Sequence, residues 1–450
     1  MTAEEVAERA ASHGGADSLA LVTRERSLML RFAAGRPTQS TAIDDYTVEI
    51  ATPFRGHVGR AATNALDDEA LADCASRARL AARAAAAAGD GHFPGFAPEY
   101  QSPDLSAFDP VTAELDPALG GTALRDTFAV ADEHGLEAHG IWSIAEQEQG
   151  WATVEGGRSE RRTDAFMKVI CIAPDGRSGY ASETAYMAGA IPARELAERA
   201  AAKAMAAGEP AELPAGAYTV VFEPQAVGWL VDLLAGCAFN GLAHAEGRGA
   251  LDGRIRQLVA SPMINIADSP ASPRTLPRSF DAEGTRKVPL PLIQDGVAYG
   301  VAHDLRSAAK ANTTTTGHAL APGGARGGPH PTNLVLAGGG AAGERELCAP
   351  ADRGIYVTRL WYANVVRPKE TLITAVTRDG TFLIENGEVT RPLRDLRLTD
   401  SVLRILSSTK DLTRTQRLTS DGEFYGRRFA SGVVCPALRA DGVRFTGAAG

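Results

Sequence analysis

A chain of 450 residues, 44% hydrophobic and 22% charged, has room for two to four domains of about 100–200 residues each, and its ordinary composition excludes disordered and fibrous classes. A formal net charge of −9, with no basic stripe interleaved with aromatics, speaks against nucleic acid as a partner. The acidic, amphipathic opening MTAEEVAERAASHGG lacks the features of a signal peptide, no apolar run approaches membrane-spanning length, and the five scattered cysteines (Cys74, Cys171, Cys237, Cys348, Cys435) include no CxxC pair; the expectation is a cytoplasmic protein without membrane contact.

From Ala16 to Tyr46, pieces such as SLALVTRE and LMLRFAAG alternate apolar and polar residues, which predicts an antiparallel sheet. Leu66 to Asp90 is Ala-rich, acidic at its start and Arg-rich later, the charge order that suits a helix dipole. Pro94 to Pro110 carries four prolines and reads as a linker. Strands in WATVEGGRSERRTDAFMKVICIAPDGRSGYASE and a helix in PARELAERAAAKAMAAGEP then repeat the order strands-then-helix, an internal duplication without a residue-level repeat.

Beyond a second boundary near residue 210, one long helix is predicted from Pro224 to about Glu246. It is followed by short β-like runs with Asp-Gly or Asn-Gly pairs at Asp295, Asp379, Asn386 and Asp441, read as hairpin turns. The fold class expected is α+β. It comprises sheet-plus-helix units at 1–110 and 111–210 and a large antiparallel β-rich domain with one long helix at 211–450.

Four places invite a chemical reading. FNGLAHAEGRG ends the predicted long helix on His244, but Glu246 is two residues on, about 200° around a helix, and cannot share an ion with it; a helix-terminal histidine is the plainer reading. Gly338, Gly340 and Gly343 make a GxGxxG after NLVLA, without the βαβ unit or acidic residue a dinucleotide needs. Asp281 and Glu283 in SFDAEGTRK would face one side of a strand, or pair with Arg278 or Arg286 at a turn. His303, His318 and His330 fall in loop-like segments around TTTTGHALAPGGARGGPH and are candidates to line a pocket.

The order of the C-terminal pieces carries a resemblance. The helix with HAEGRG, then VASPMINIADSP, SFDAEGTRKVPLPLIQDGVAYGVAHDLRSAAKANTTTTGHA, HPTNLVLAGGG and GTFLIENGEVTRPL resemble the TldD/PmbA family, with likeness from TNALDDEAL to near the C-terminus. In that family the TldD-type subunit carries HExxxH and binds zinc through both histidines and a later cysteine, and its glutamate is the general base. Here the matching residues are His244, Ala245, Glu246, Gly247, Arg248 and Gly249: the base position is Ala245 and the second ligand position Gly249. RLTSDGEFYG, where the thiolate should fall, has no cysteine, and Cys435 lies in the strand-like VVCPALRADGV after it.

The resemblance therefore implies a PmbA/TldE-type subunit with no cofactor of its own, zinc being expected in a TldD-type partner. Together the two would form a heterodimeric peptidase for unfolded or small peptides, modified precursors included. Asp281, Glu283 and Asn333 are the candidate peptide-facing residues, since an extended peptide binds most simply by adding a strand to a sheet edge. The alternatives are a homodimeric enzyme using His244, His303 or His318 with Glu283, and a peptide-binding module without a peptidase partner.

Overall fold

Two stretches of the chain fold in the same order. Helix α1 (Ala3–Gly14), strands β1 (Leu19–Ala33), β2 (Arg36–Phe54) and β3 (His57–Thr63), and helix α2 (Asp68–Ala86) come first. After a single helical turn, α3 (Pro110–Ala113), the order recurs as α4 (Pro117–Glu133), β4 (Glu137–Thr153), β5 (Gly156–Ile172), β6 (Ser178–Ala185) and α5 (Ala193–Ala204). The computed structural model describes residues 1–89, 91–99, 101, 105, 107–421 and 428–448.

All six strands form one sheet in the order β3-β2-β1-β4-β5-β6. Residues 1–110 and 111–210 share it through antiparallel pairing of β1 with β4, from Ala20 opposite Ala152 to Phe32 opposite Gly140. Both halves also use the same packing device. A Cβ on Gly59 of β3 would stand 2.1 Å from the Ala78 carbonyl oxygen of α2, and one on Gly179 of β6 would stand 2.1 Å from that of Ala200 on α5. A missing side chain thus lets each helix lie directly on its outer strand. The sequence reading placed no element over α4, whose apolar stripe is interrupted by Gly120 and Gly121; a side chain at Gly120 would collide with Trp142 and Leu30.

Alternation along β1 sorts the two faces. Ala20, Val22, Leu28 and Phe32 pack into the cores under the helices, whereas Leu19 and Leu21 point to the opposite face and join Trp151, Phe280, Ala282 and Ala319. That second cluster is where the C-terminal domain docks.

The C-terminal domain opens with β7 (Gly216–Phe222), α6 (Pro224–Cys237) and α7 (Gly241–Ala245), then β8 (Ile266–Asp268), β9 (Leu290–Gln294), β10 (Val297–Ala298), α8 (Leu305–Lys310), β11 (Asn333–Leu336) and α9 (Glu344–Cys348). It ends with β12 (Arg353–Arg367), β13 (Leu372–Glu385), β14 (Glu388–Pro392), β15 (Leu396–Ser401), α10 (Val402–Ser407), β16 (Thr409–Thr419) and β17 (Gly432–Ala448). Strand β7 pairs parallel with β12 and antiparallel with β17, closing a ring β7-β12-β13-β15-β17 from which β11, β8, β9 and β10 extend. Val227, Leu230, Val231 and Leu234 of α6 pack with Val220, Phe222, Ile355, Val357 and Leu438 in the largest core. The class is α+β, as expected.

Two expectations are corrected here. The long helix is broken between Cys237 and Gly241, because Asn240 caps a new one. Its Oδ1 accepts the Ala243 N–H at 3.0 Å, its Nδ2 donates to the Gly327 carbonyl at 2.7 Å, and the Gly241 N–H donates to the Ala302 carbonyl at 2.8 Å; asparagine is a strong cap and a poor interior residue. Of the four turn pairs, Asp295-Gly296 and Asn386-Gly387 do connect paired strands, but Asp379-Gly380 and Asp441-Gly442 lie inside β13 and β17 at register shifts. A bulge uses the same left-handed backbone, and Asp379 has φ 53°.

Candidate functional site

The place where the resemblance puts a metal is α7 and the turn after it. His244 is half-buried, its Nδ1 without a hydrogen-bond partner among the described residues. Helix α7 ends at Ala245, and the chain folds back so that the Arg248 and Gly249 N–H groups both donate to the Ala243 carbonyl, at 3.0 and 2.9 Å. A Cβ on Gly249 would stand 3.1 Å from the His244 nitrogen and 3.2 Å from its Cα, closer than ordinary contact. Glu246 turns outward to Arg248 at 2.7 Å and Lys310 at 3.0 Å, and these hydrogen bonds hold its carboxyl below the usual range.

A catalytic zinc wants three protein ligands and an open position. Ala245 and Gly249 offer none. Cys435 is fully buried on β17, its Sγ 3.2 Å from the Pro224 carbonyl oxygen, and burial pushes its thiol up to about 12. The part of RLTSDGEFYG beyond Asp421 lies outside the described residues. Among the described residues no three His, Cys, Asp or Glu side chains gather as a ligand set, so the residues present do not fit the group.

The other predicted residues meet at the boundary between the domains. Asp281 and Glu283 sit in a turn rather than a strand, with Gly284 at φ +72°. Asp281 accepts N–H hydrogen bonds from Glu283 (2.9 Å), Thr285 (3.0 Å) and Ala319 (2.9 Å), while Glu283 accepts one from Leu305 (2.9 Å). Neither pairs with Arg278 or Arg286 among the described residues; Arg278 donates to the Ala430 carbonyl and stacks on Phe429. Glu283 is fully buried with Oε1 unpartnered. Burial, then the neighbouring Asp281 carboxyl, raise it well above the carboxylate range. With three backbone N–H donors on Asp281, and Glu283 Oε1 left without a partner, the pair keeps its proton on Glu283.

Asn333 is also fully buried. Its Nδ2 donates to the Leu276 carbonyl at 2.7 Å and its N–H to Asp268 at 2.8 Å. Asp281 faces a cavity of about 280 Å³ shared with His318, His330 and Lys287; Glu283 and Asn333 do not face solvent. His318 and Lys287 both approach Asp268 Oδ1, at 3.2 and 3.4 Å, and all three are buried. Against the cost of burial, Lys287 and His318 hold the Asp268 carboxyl far below its usual range. His303 lies apart, its Nδ1 3.2 Å from Ser307 Oγ, and burial lowers its pKa.

Sequence reasoning missed Asp268 and Lys287. Their signals were slight: an aspartate closing the run MINIAD, and a lysine opening VPLPLI.

An α+β chain with a sheet-and-helix N-terminal half and a closed C-terminal ring of strands is a recognisable class. Residues 215–447 match the family model described as PmbA/TldA metallopeptidase C-terminal domain, and the chain belongs to the TldD/PmbA family. It is 25% identical over 224 residues to a metalloprotease of Methanothermobacter thermautotrophicus, covering 50% of this chain and 49% of that one. It is likewise 25% identical over 239 residues to a metalloprotease TldD homolog of Haemophilus influenzae, covering 52% and 49%. The chain thus spans about half the length of the curated relatives it matches.

Among solved structures, TldE from Thermococcus kodakarensis superposes with a TM-score of 0.82 at 17% identity, covering 98% of this chain and 99% of that one. A protein of Thermotoga maritima described as a putative modulator of a DNA gyrase gives 0.80 at 19%, covering 95% of each. These likenesses show the fold. No helix among the described residues is long and apolar enough to cross a membrane.

Proposed function

We propose that this chain is the non-catalytic, TldE/PmbA-like subunit of a TldD/TldE-type zinc metallopeptidase. A TldD-type subunit with intact HExxxH supplies the zinc, and the pair processes unfolded or small peptides, modified precursors included. The observation that carries the reading is the turn after α7: Ala245 stands at the base position, and Gly249, whose N–H is tied to the Ala243 carbonyl, offers no side chain at the second ligand position. A subunit in that state contributes by shaping the chamber and holding peptide in position, which is a large part of catalysis. The outer half of β2 supports strand addition, since β3 pairs with β2 only from Val48 to Phe54 and leaves the preceding residues without a partner on that side among the described residues.

Five buried, unpaired cysteines support a cytoplasmic setting. A relocated site built on His318 and Glu283 has less support, because His318 is committed to Asp268 and Glu283 is sealed from solvent. The test is co-elution. Mixed with an HExxxH-bearing relative from the same source, the chain should share its peak in size-exclusion chromatography, and separate elution rejects the reading.

A further inference from the structure

The turn that lost the metal ligands borders a cavity of about 490 Å³ between the two domains, within the range of about 300–1,000 Å³ typical of ligand pockets. One wall is His57 at the start of β3, with His92 beside it; the other is α7 and its turn, α8 and the loop at Gly323. Four cations reach this second wall from three separate segments: Arg248, Arg306, Lys310 and Arg326. Among the described residues the only carboxylate lining it is Glu246, already shared by Arg248 and Lys310.

Arg306 and Arg326 make no ion pair among the described residues. The Arg306 Nη2 donates to the Ala325 carbonyl at 2.7 Å, but its Nε is buried without an acceptor. Asp304, fully buried, lies close by under Gly324, where a Cβ would stand 2.8 Å from Asp304 Oδ2 and 3.3 Å from Arg306 Nε; that Oδ2 too has no hydrogen-bond partner among the described residues, so Asp304 offsets part of the Arg306 charge. This positive excess sits on a chain of net charge −9, so it does not follow from a generally basic surface. Four cations gathered in a recess against the Glu246 carboxylate make it attractive to an incoming anion, and guanidinium forks match carboxylates two bonds at a time.

We propose that this cavity binds the carboxylates of a peptide, acidic side chains or the C-terminal group, and so gives the assembly a preference for acidic segments. The inference rests on the peptide-processing reading: the former ligand-bearing turn now serves as one wall of an anion clamp.

The test uses the full chain and two short synthetic peptides, one rich in Asp and Glu with a free C-terminus, the other its Asn/Gln counterpart with an amidated end, followed by calorimetry. The acidic peptide should bind about tenfold or more tighter, the equivalent of one good charge-assisted bond, and that preference should shrink in about 0.5 M salt. Arg306→Gln should remove most of the preference. Arg326→Glu, altering an exposed side chain without a partner, should do the same in a chain that melts like wild type. Equal binding of both peptides, an unchanged preference in folded Arg326→Glu, or binding of inorganic phosphate but not of the acidic peptide each overturns the proposal. Failure of the partner reading shows instead as no co-elution with the HExxxH-bearing relative, leaving the peptide comparison intact.

Discussion

The indole of Trp151, on β4, lies with its ring centroid 4.3 Å from that of Phe280 in the C-terminal domain, one of several contacts across that boundary, which also include Arg428 with Asp164 and Lys203 with Glu223. Leu19, Leu21, Ala282 and Ala319 surround it, and Gly284 comes so close that a Cβ there would stand 2.6 Å from Trp151 Cδ1. Replacing Trp151 by alanine should therefore cost about 3–5 kcal/mol, the usual range for emptying a large aromatic site. Urea unfolding followed by circular dichroism measures this. A loss below about 1 kcal/mol would mean that the domains are held together elsewhere.

Asp268 is the anion for the buried Lys287 and the partner of the buried His318, whose pKa burial lowers. Asp268→Ala strands them and should destabilise the chain by about 3–5 kcal/mol near neutral pH. Because the Asp268 pKa is depressed in the fold, its stabilisation is present above the ordinary aspartate pKa of about 3.9 and is lost as pH falls toward the folded value. The gap between variant and wild type should thus narrow on acidification, as denaturant titrations across acid pH would show. A constant gap contradicts the role given to Asp268.

Glu283 has the opposite sign. Its raised folded pKa makes its contribution full below the ordinary glutamate pKa of about 4.3 and erodes it as pH rises through the folded value. Glu283→Gln cannot ionise. It should flatten the decline of stability with rising pH and be the more stable form on the alkaline side. Parallel profiles for the two proteins would refute a shared proton at this turn.

How far the sequence reached can be judged from particular residues. Alternation along β1 and the charge order of α2 are local signals, and both elements stand where they were expected. The break at Asn240 had a local signal, the capping asparagine, which the apolar run around it masked; its further bond to Gly327, distant in sequence, was not legible. Asp281 and Glu283 were recognised as a pair, yet their burial depends on the docking of Trp151. The cations Arg248, Arg306 and Arg326 come from separate segments and share a cavity only after folding.

Restoring letters to the motif should not restore a metal centre. Ala245→Glu with Gly249→His supplies two groups, but a Cβ on residue 249 would stand 3.1 Å from the His244 nitrogen, so the turn must give before a side chain fits, and the Cys435 thiol is sealed in the core. Elemental analysis should find no stoichiometric zinc in the double variant, and unfolded peptides should survive it. About one zinc per chain with zinc-dependent cleavage, given three adequate ligands, would contradict the geometry described for α7.

A role exercised through a partner is tested by mixing this chain with its HExxxH-bearing relative and following degradation of an unfolded peptide, with each protein alone as a control. Cleavage by the mixture that a zinc chelator abolishes is expected, and none by this chain alone. Full-rate cleavage by the relative without this chain, or cleavage by this chain without the relative, would contradict that role.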